Sequence, residues 1–141
     1  MRMPRGLRCF LITADVAMLA YWLISALACL AVITLPQAAM YDGYGTPHID
    51  SWNWSFAPLD IAFSIVGLMA IRADRDGDHR WVGLAIVSLC LTMCAGGMAI
   101  SYWALAQEFS LSWWGPNLAL LLLPMVWLPG LIGTNLRSQA Q

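Results

Sequence analysis

Four long apolar blocks, parted by short polar segments, leave this chain few ways to fold. They run from about Leu11 to Leu35, Trp52 to Ile71, Trp81 to Leu105 and Trp113 to Ile132. Each supplies close to the about 20 apolar residues that cross a hydrocarbon core of about 30 Å. In lipid the backbone must satisfy its own hydrogen bonds, so such blocks are helices. Only 11% of the 141 residues are charged, against about 25% in soluble domains. The expectation is an all-α, integral membrane four-helix bundle forming a single membrane domain over residues 1–141.

The basic residues orient it. All seven are arginine: Arg2, Arg5 and Arg8 precede the first block, Arg72, Arg75 and Arg80 lie between the second and third, and Arg137 follows the fourth. The other two connections carry only Asp42, Asp50 and Glu108. With four spans the arginine-bearing segments share one side, and the positive-inside rule makes that side the cytoplasm. The topology is therefore N-in/C-in, in a bacterial inner (plasma) membrane. The N-terminus imitates a signal peptide, but its apolar part is about twice a typical h-region and reads as an uncleaved first span. No basic patch interleaved with aromatics points to nucleic acid.

Metal and redox chemistry find little support. Asp42, His48 and Asp50 in the outer loop match no metal-site spacing, and a solvated loop is the better reading. In "RADRDGDHR" the glycine and the missing glutamate break the calcium-loop pattern, leaving a charged turn whose signs pair locally. Cys90 and Cys94 share a helix face but form no C-x-x-C, and Cys9 and Cys29 lie apart. All four read as packing residues. No cofactor is expected and, with no nucleophile–base pair, no enzyme. Gly67, Gly83, Gly96 and Gly97 suit close helix approach. Pro124 should kink the last span, and Pro129–Gly130 should end its regular part.

Carboxylates inside such spans cost on the order of 2.5–3.5 kcal/mol each and need an account. Asp15 has an easy one as the cap of the first helix, because residues 16–35 then supply the span and Asp15 sits at the cytoplasmic interface. Asp60 does not. A helix starting at Pro58 and pinned by Arg72 would reach only about 21 Å, so it must begin near Ser51 or Trp52. That places Asp60 about 12 Å inside, beside the carbonyl of Trp54 that Pro58 leaves without a donor.

Depth ranks its partners. Tyr21 and Ser25 stand about 9 and 15 Å up the first span, and Asn117 enters from outside on the fourth. Asp60, Ser25, Tyr21 and Asn117 then form a polar layer in the outer half, while Asp15 and Asp60 belong to opposite halves and form no dyad. The layer has two readings: interhelical glue, worth about 0.6 kcal/mol per hydrogen bond, or a ligand, ion or proton site. Trp52, Trp54, Trp113 and Trp114, with Trp103, mark an outer aromatic belt, and Trp81 marks the inner edge. Trp22 and Trp127 lie deeper and either line a cavity or simply pack. Echoes such as "AYWLIS" and "SYWALA" hint at duplicated hairpins.

The segments "WNWSFAPLD" and "FSLSWWGPNL", with a glycine-containing span after the first, resemble the YvaD-like group of small bacterial membrane proteins from Asp15 onward. That resemblance implies a four-span membrane protein of uncharacterised function and carries over no catalytic role. The leading expectation is a small non-enzymatic membrane protein. It either binds a small apolar or cationic ligand at the Asp60 layer or serves as an accessory subunit to a partner membrane protein, and it is open to oligomerisation. The alternative is a small proton-coupled transporter using Asp60 or Asp15.

Overall fold

A computed structural model describes residues 2–36 and 43–139. Within them lie six α-helices and no strand: α1 (Arg5–Cys29), α2 (Pro47–Ser55), α3 (Ala57–Arg75), α4 (Trp81–Ala106), α5 (Leu111–Leu122) and α6 (Pro124–Gln139). Helices α2 and α3 run on as one rod, as do α5 and α6. The result is four segments long and apolar enough to cross a membrane: Arg5–Cys29, Pro47–Arg75, Trp81–Ala106 and Leu111–Arg137. The all-helical, four-span architecture expected from the apolar blocks is the one observed.

Helix α1 packs on α3, α3 on α4, and α4 on both α5 and α6. One core cluster joins Leu7 and Leu11 to Ala70, Trp81, Leu89 and Leu131. The N-terminus, the α3–α4 turn and α6 therefore meet at one end, where the arginines lie. The second cluster, built on Trp22, Phe56, Phe63, Ala95 and Ala99, sits toward the opposite, tryptophan-rich end. Leu23, Ile65, Val87, Met98 and Val126 point outward, the apolar exterior that lipid contact requires.

The boundaries differ from the hydropathy reading in instructive ways. The first helix spans Arg5–Cys29 rather than 11–35. Pro4 leads into it, and Arg8 is tolerated inside it because it pairs with the buried carboxylate of Asp74. At its other end Ala31 takes a left-handed conformation, φ 55°. There the Val32 N–H donates to the Leu27 carbonyl at 2.9 Å and the Ala31 N–H to Ala28 at 3.0 Å, a Schellman closure that stops the helix.

The second span begins earlier than Trp52, at Pro47, and its regular helix is interrupted at Phe56 ahead of Pro58. The polar gap expected beside Pro58 is closed, since N–H groups at that junction donate to the carbonyls of Asn53 and Trp54. The fourth span breaks at Leu123, just before Pro124. Pro129 does not end it: α6 continues to Gln139. A proline so early in a restarted helix deprives only one carbonyl of a donor, and membrane helices tolerate that.

Close packing uses two of the four glycines. A methyl group on Gly96 would lie 2.6 Å from the Asn117 carbonyl oxygen and 2.8 Å from the Leu121 nitrogen, so α4 and α5 meet backbone to backbone there. Gly83 has open space, and Gly97 meets only the tip of Leu121 at 3.5 Å. The four cysteines are exposed on the outside of the bundle rather than packed within it. Trp81, placed at the inner edge by sequence, is fully buried in the core.

Candidate functional site: a polar ladder and an aromatic cavity

Helices α1 and the α2–α3 rod face each other through residues seven apart on each. Heptad spacing keeps a contact seam in register between two crossing helices. On one side stand Arg8, Asp15 and Trp22; on the other, Asp74, Gly67 and Asp60, with Asn53 a further seven residues on. The pairs meet rung by rung. Asp74, at the arginine end, binds the Arg8 guanidinium, and its Oδ1 accepts the Met3 backbone N–H at 2.9 Å. Asp15 lies against Gly67. Asp60 Oδ2 accepts the Trp22 indole N–H at 3.0 Å. At the top the Tyr21 hydroxyl donates to Asn53 Oδ1 at 3.0 Å.

This overturns the interfacial reading of Asp15. The residue is not a helix cap. It is the eleventh residue of α1, about 15 Å up the helix from Arg5, and only 1% exposed. The helix starts two turns before the apolar block does, and that shift carries the carboxylate into the bundle. Asp15 and Asp60 stand on successive rungs, about 10 Å apart along the axis, and form no dyad. The inner loop also pairs over longer range than its sequence suggests. Asp78 binds Arg80 locally at 2.7 Å, but Asp74 reaches back to the N-terminus. Outside the spans, hydrogen bonds from Arg80 hold the Asp78 carboxyl below the usual carboxylate range.

Above the Asp60 rung all four spans line a partly open cavity of about 270 Å³, near the lower end of small-molecule sites. Its wall is mainly apolar and includes the aromatic rings of Tyr21, Trp22, Trp52, Phe56, Trp103 and Trp113. Asp60, Asn53, Asn117 and Ser112 are the polar groups on it. Asp60 is 5% exposed, and its Oδ1 has no hydrogen-bond partner among the described residues; nor has Asn53 Nδ2. Asn117 Nδ2 donates to the Trp113 carbonyl at 2.8 Å, within its own helix.

The structure thus brings Asp60, Tyr21 and Asn117 to one cavity and leaves Ser25, half-buried, off its wall. Trp22, read from the sequence as a residue that either lines a cavity or packs, is on that wall. Asn53 is the member that sequence reasoning missed. Its signal was the heptad step of Asn53, Asp60, Gly67 and Asp74, each small or polar in an otherwise apolar segment.

The interfacial tryptophans divide. Trp52 stacks on Tyr102 with ring centroids 3.9 Å apart, and Trp113 lies edge-on to Tyr21 at 6.3 Å, so both belong to the cavity structure. Trp54 covers Trp22 at 5.2 Å, and the Trp114 indole donates to the Glu108 carbonyl at 3.1 Å. His48 and Asp50, expected in the outer loop, stand in the first turn of α2 instead; His48 is exposed and Asp50 accepts the Gly45 N–H, and Asp42 lies outside the described residues.

Residues 7–138 match the model of a family described as "Family of unknown function (DUF5360)". The chain belongs to this family. It is also similar to "Uncharacterized protein YvaD" of Bacillus subtilis (strain 168), with 31% identity over 135 residues that cover 96% of this chain and 98% of that protein. The YvaD-like resemblance of the tryptophan-rich segments is therefore a family relationship over nearly the full chain. No solved structure matches it.

Within this DUF5360 member the site offers fixed acceptors and aromatic faces. A carboxylate oxygen free of protein donors among the described residues, beside aromatic rings, suits a bound positive charge, because ring faces and carboxylate attract it together.

Proposed function

We propose that this protein is a non-enzymatic, multi-pass membrane protein that binds a small organic cation with an apolar body in the cavity beneath its tryptophan-rich end. The observation carrying the reading is Asp60 Oδ1, buried on the cavity wall without a protein donor among the described residues. A desolvated cation on an indole face gains up to about 2 kcal/mol, and the enclosure provides several such faces. The cavity volume favours a ligand of few heavy atoms. The arginines gathered at the other end support a plasma-membrane orientation with both termini in the cytoplasm.

The test compares choline with its uncharged carbon isostere, using purified protein in detergent and native mass spectrometry or calorimetry. Choline should bind and the isostere should not. Asp60→Asn should weaken choline binding by about tenfold or more, the loss of one charge-assisted contact. Equal binding of both compounds, or an unchanged affinity in Asp60→Asn, rejects the reading.

A second reading, ligand movement coupled to protons through Asp60 or Asp15, draws support from the two carboxylates standing one heptad apart on one seam. It predicts substrate-driven proton flux in proteoliposomes, abolished by Asp60→Asn or Asp15→Asn in protein that still folds.

A further inference from the structure

The ligand cavity leaves one part of the ladder unused. Asp15 is 1% exposed, and both its carboxylate oxygens lack a hydrogen-bond partner among the described residues. It fits only because residue 67 is glycine: Asp15 Oδ2 and the Ser88 hydroxyl both lie against the place where a Cβ would stand. One helical turn away on the same face of α3 is Ser64, fully buried, whose Oγ is also unpartnered. Ser88 Oγ donates its own proton to the Phe63 carbonyl at 3.0 Å, which leaves its lone pairs as acceptors.

We propose that Asp15, Ser64 and Ser88 form a second, enclosed site that takes a single inorganic monovalent cation, a proton or a sodium ion, over the notch at Gly67. A carboxylate inside a membrane bundle needs a neutralising charge, and uncompensated burial costs several kcal/mol. The protein brings none to this rung. Helix α4 carries no charged residue along its length. Along the α1–α3 seam the neighbouring titratable side chains are Arg8 with Asp74 about 10 Å below, and Asp60 with Tyr21 about 10 Å above, while Arg72 and Cys9 point outward. Ser88 Oγ shares the Gly67 notch with Asp15 Oδ2, and the Ser64 hydroxyl lies one turn along α3, a carboxylate-plus-hydroxyl combination that suits a small hard cation. The site is separate from the aromatic cavity and does not depend on what that cavity binds.

The experiment uses the full chain in lipid nanodiscs. For a sodium ion, the thermal midpoint rises as NaCl replaces KCl at constant ionic strength, and Asp15→Asn abolishes the rise. For a proton, the midpoint ignores sodium. Infrared difference spectra across a pH step then show a carboxyl band that Asp15→Asn removes and Asp60→Asn keeps. Ser64→Ala should shift the half-effect concentration of the operative cation by about tenfold. Absence of both the sodium dependence and an Asp15 band overturns the proposal. Should Asp15→Asn fail to fold, unchanged sodium and pH responses in Ser64→Ala overturn it equally.

Discussion

The Trp22 indole donates its N–H to Asp60 Oδ2 across 3.0 Å, tying α1 to the α2–α3 rod at the floor of the aromatic cavity. Trp22 is 4% exposed and Asp60 5%, so water cannot readily replace the lost partner. Trp22→Phe should keep the ring contacts but strip that donor, lowering stability by about 1–3 kcal/mol. Trp54→Phe retains an aromatic ring against Trp22 and should cost less. Thermal unfolding in one detergent checks both. Equal losses would show that the hydrogen bond contributes nothing.

Gly67→Ala places a methyl group onto the Asp15 carboxylate and 2.9 Å from Ser88 Oγ. Asp15 is short and enclosed, so it cannot swing away, and the predicted cost is about 1–3 kcal/mol. Asp15→Ala made together with Gly67→Ala should recover part of it. A double-mutant cycle reads the coupling, and purely additive losses would contradict the contact.

Gly96 and Gly97 form an internal control. Alanine at 96 presses on the α5 backbone, which cannot rotate aside as a side chain can. Alanine at 97 meets Leu121 at ordinary contact distance. We expect Gly96→Ala to destabilise by about 1–3 kcal/mol and Gly97→Ala to be near neutral. Unfolding midpoints of the two variants decide it.

Asp74 closes the arginine end by binding Arg8 and the Met3 backbone N–H. Asp74→Ala should cost about 1–3 kcal/mol, mostly from the orphaned backbone donor; the Arg8 side chain is 40% exposed, which screens the ion pair. Asp76→Asn should be almost silent, because its contact with Arg72 is exposed at both ends. Limited proteolysis near the N-terminus should report the first change and not the second.

Span number and the upstream start of the second span were legible because lipid imposes a length. Fourteen residues from Pro58 could not cross, so the helix had to begin upstream. Asp15 was misplaced by the same reasoning, since counting apolar residues starts a helix where hydropathy starts. The actual helix starts six residues earlier at Arg5, which is possible because Arg8 finds Asp74. That pairing spans 66 residues, and local charge alternation in the inner loop concealed it. Trp22 was legible as a cavity or packing residue, but not as the donor to Asp60. A helix apolar on most of its faces shows no favoured face, so the rotation of α1 against α3 cannot be read from hydropathy alone. The seven-residue recurrence of small or polar positions along the α2–α3 rod was the clue that could have set it.

The notch at Gly67 also has a consequence for biogenesis. During synthesis α1 emerges before α3 and α4, so Asp15 reaches the bilayer before the glycine and serine that will cover it exist. A lone first span must hold that carboxylate at a cost of about 2.5–3.5 kcal/mol, or wait at the insertion machinery. The seam is completed only when Gly67 and then Ser88 have been made, so α1 cannot bury its carboxylate until α3 and then α4 have followed it.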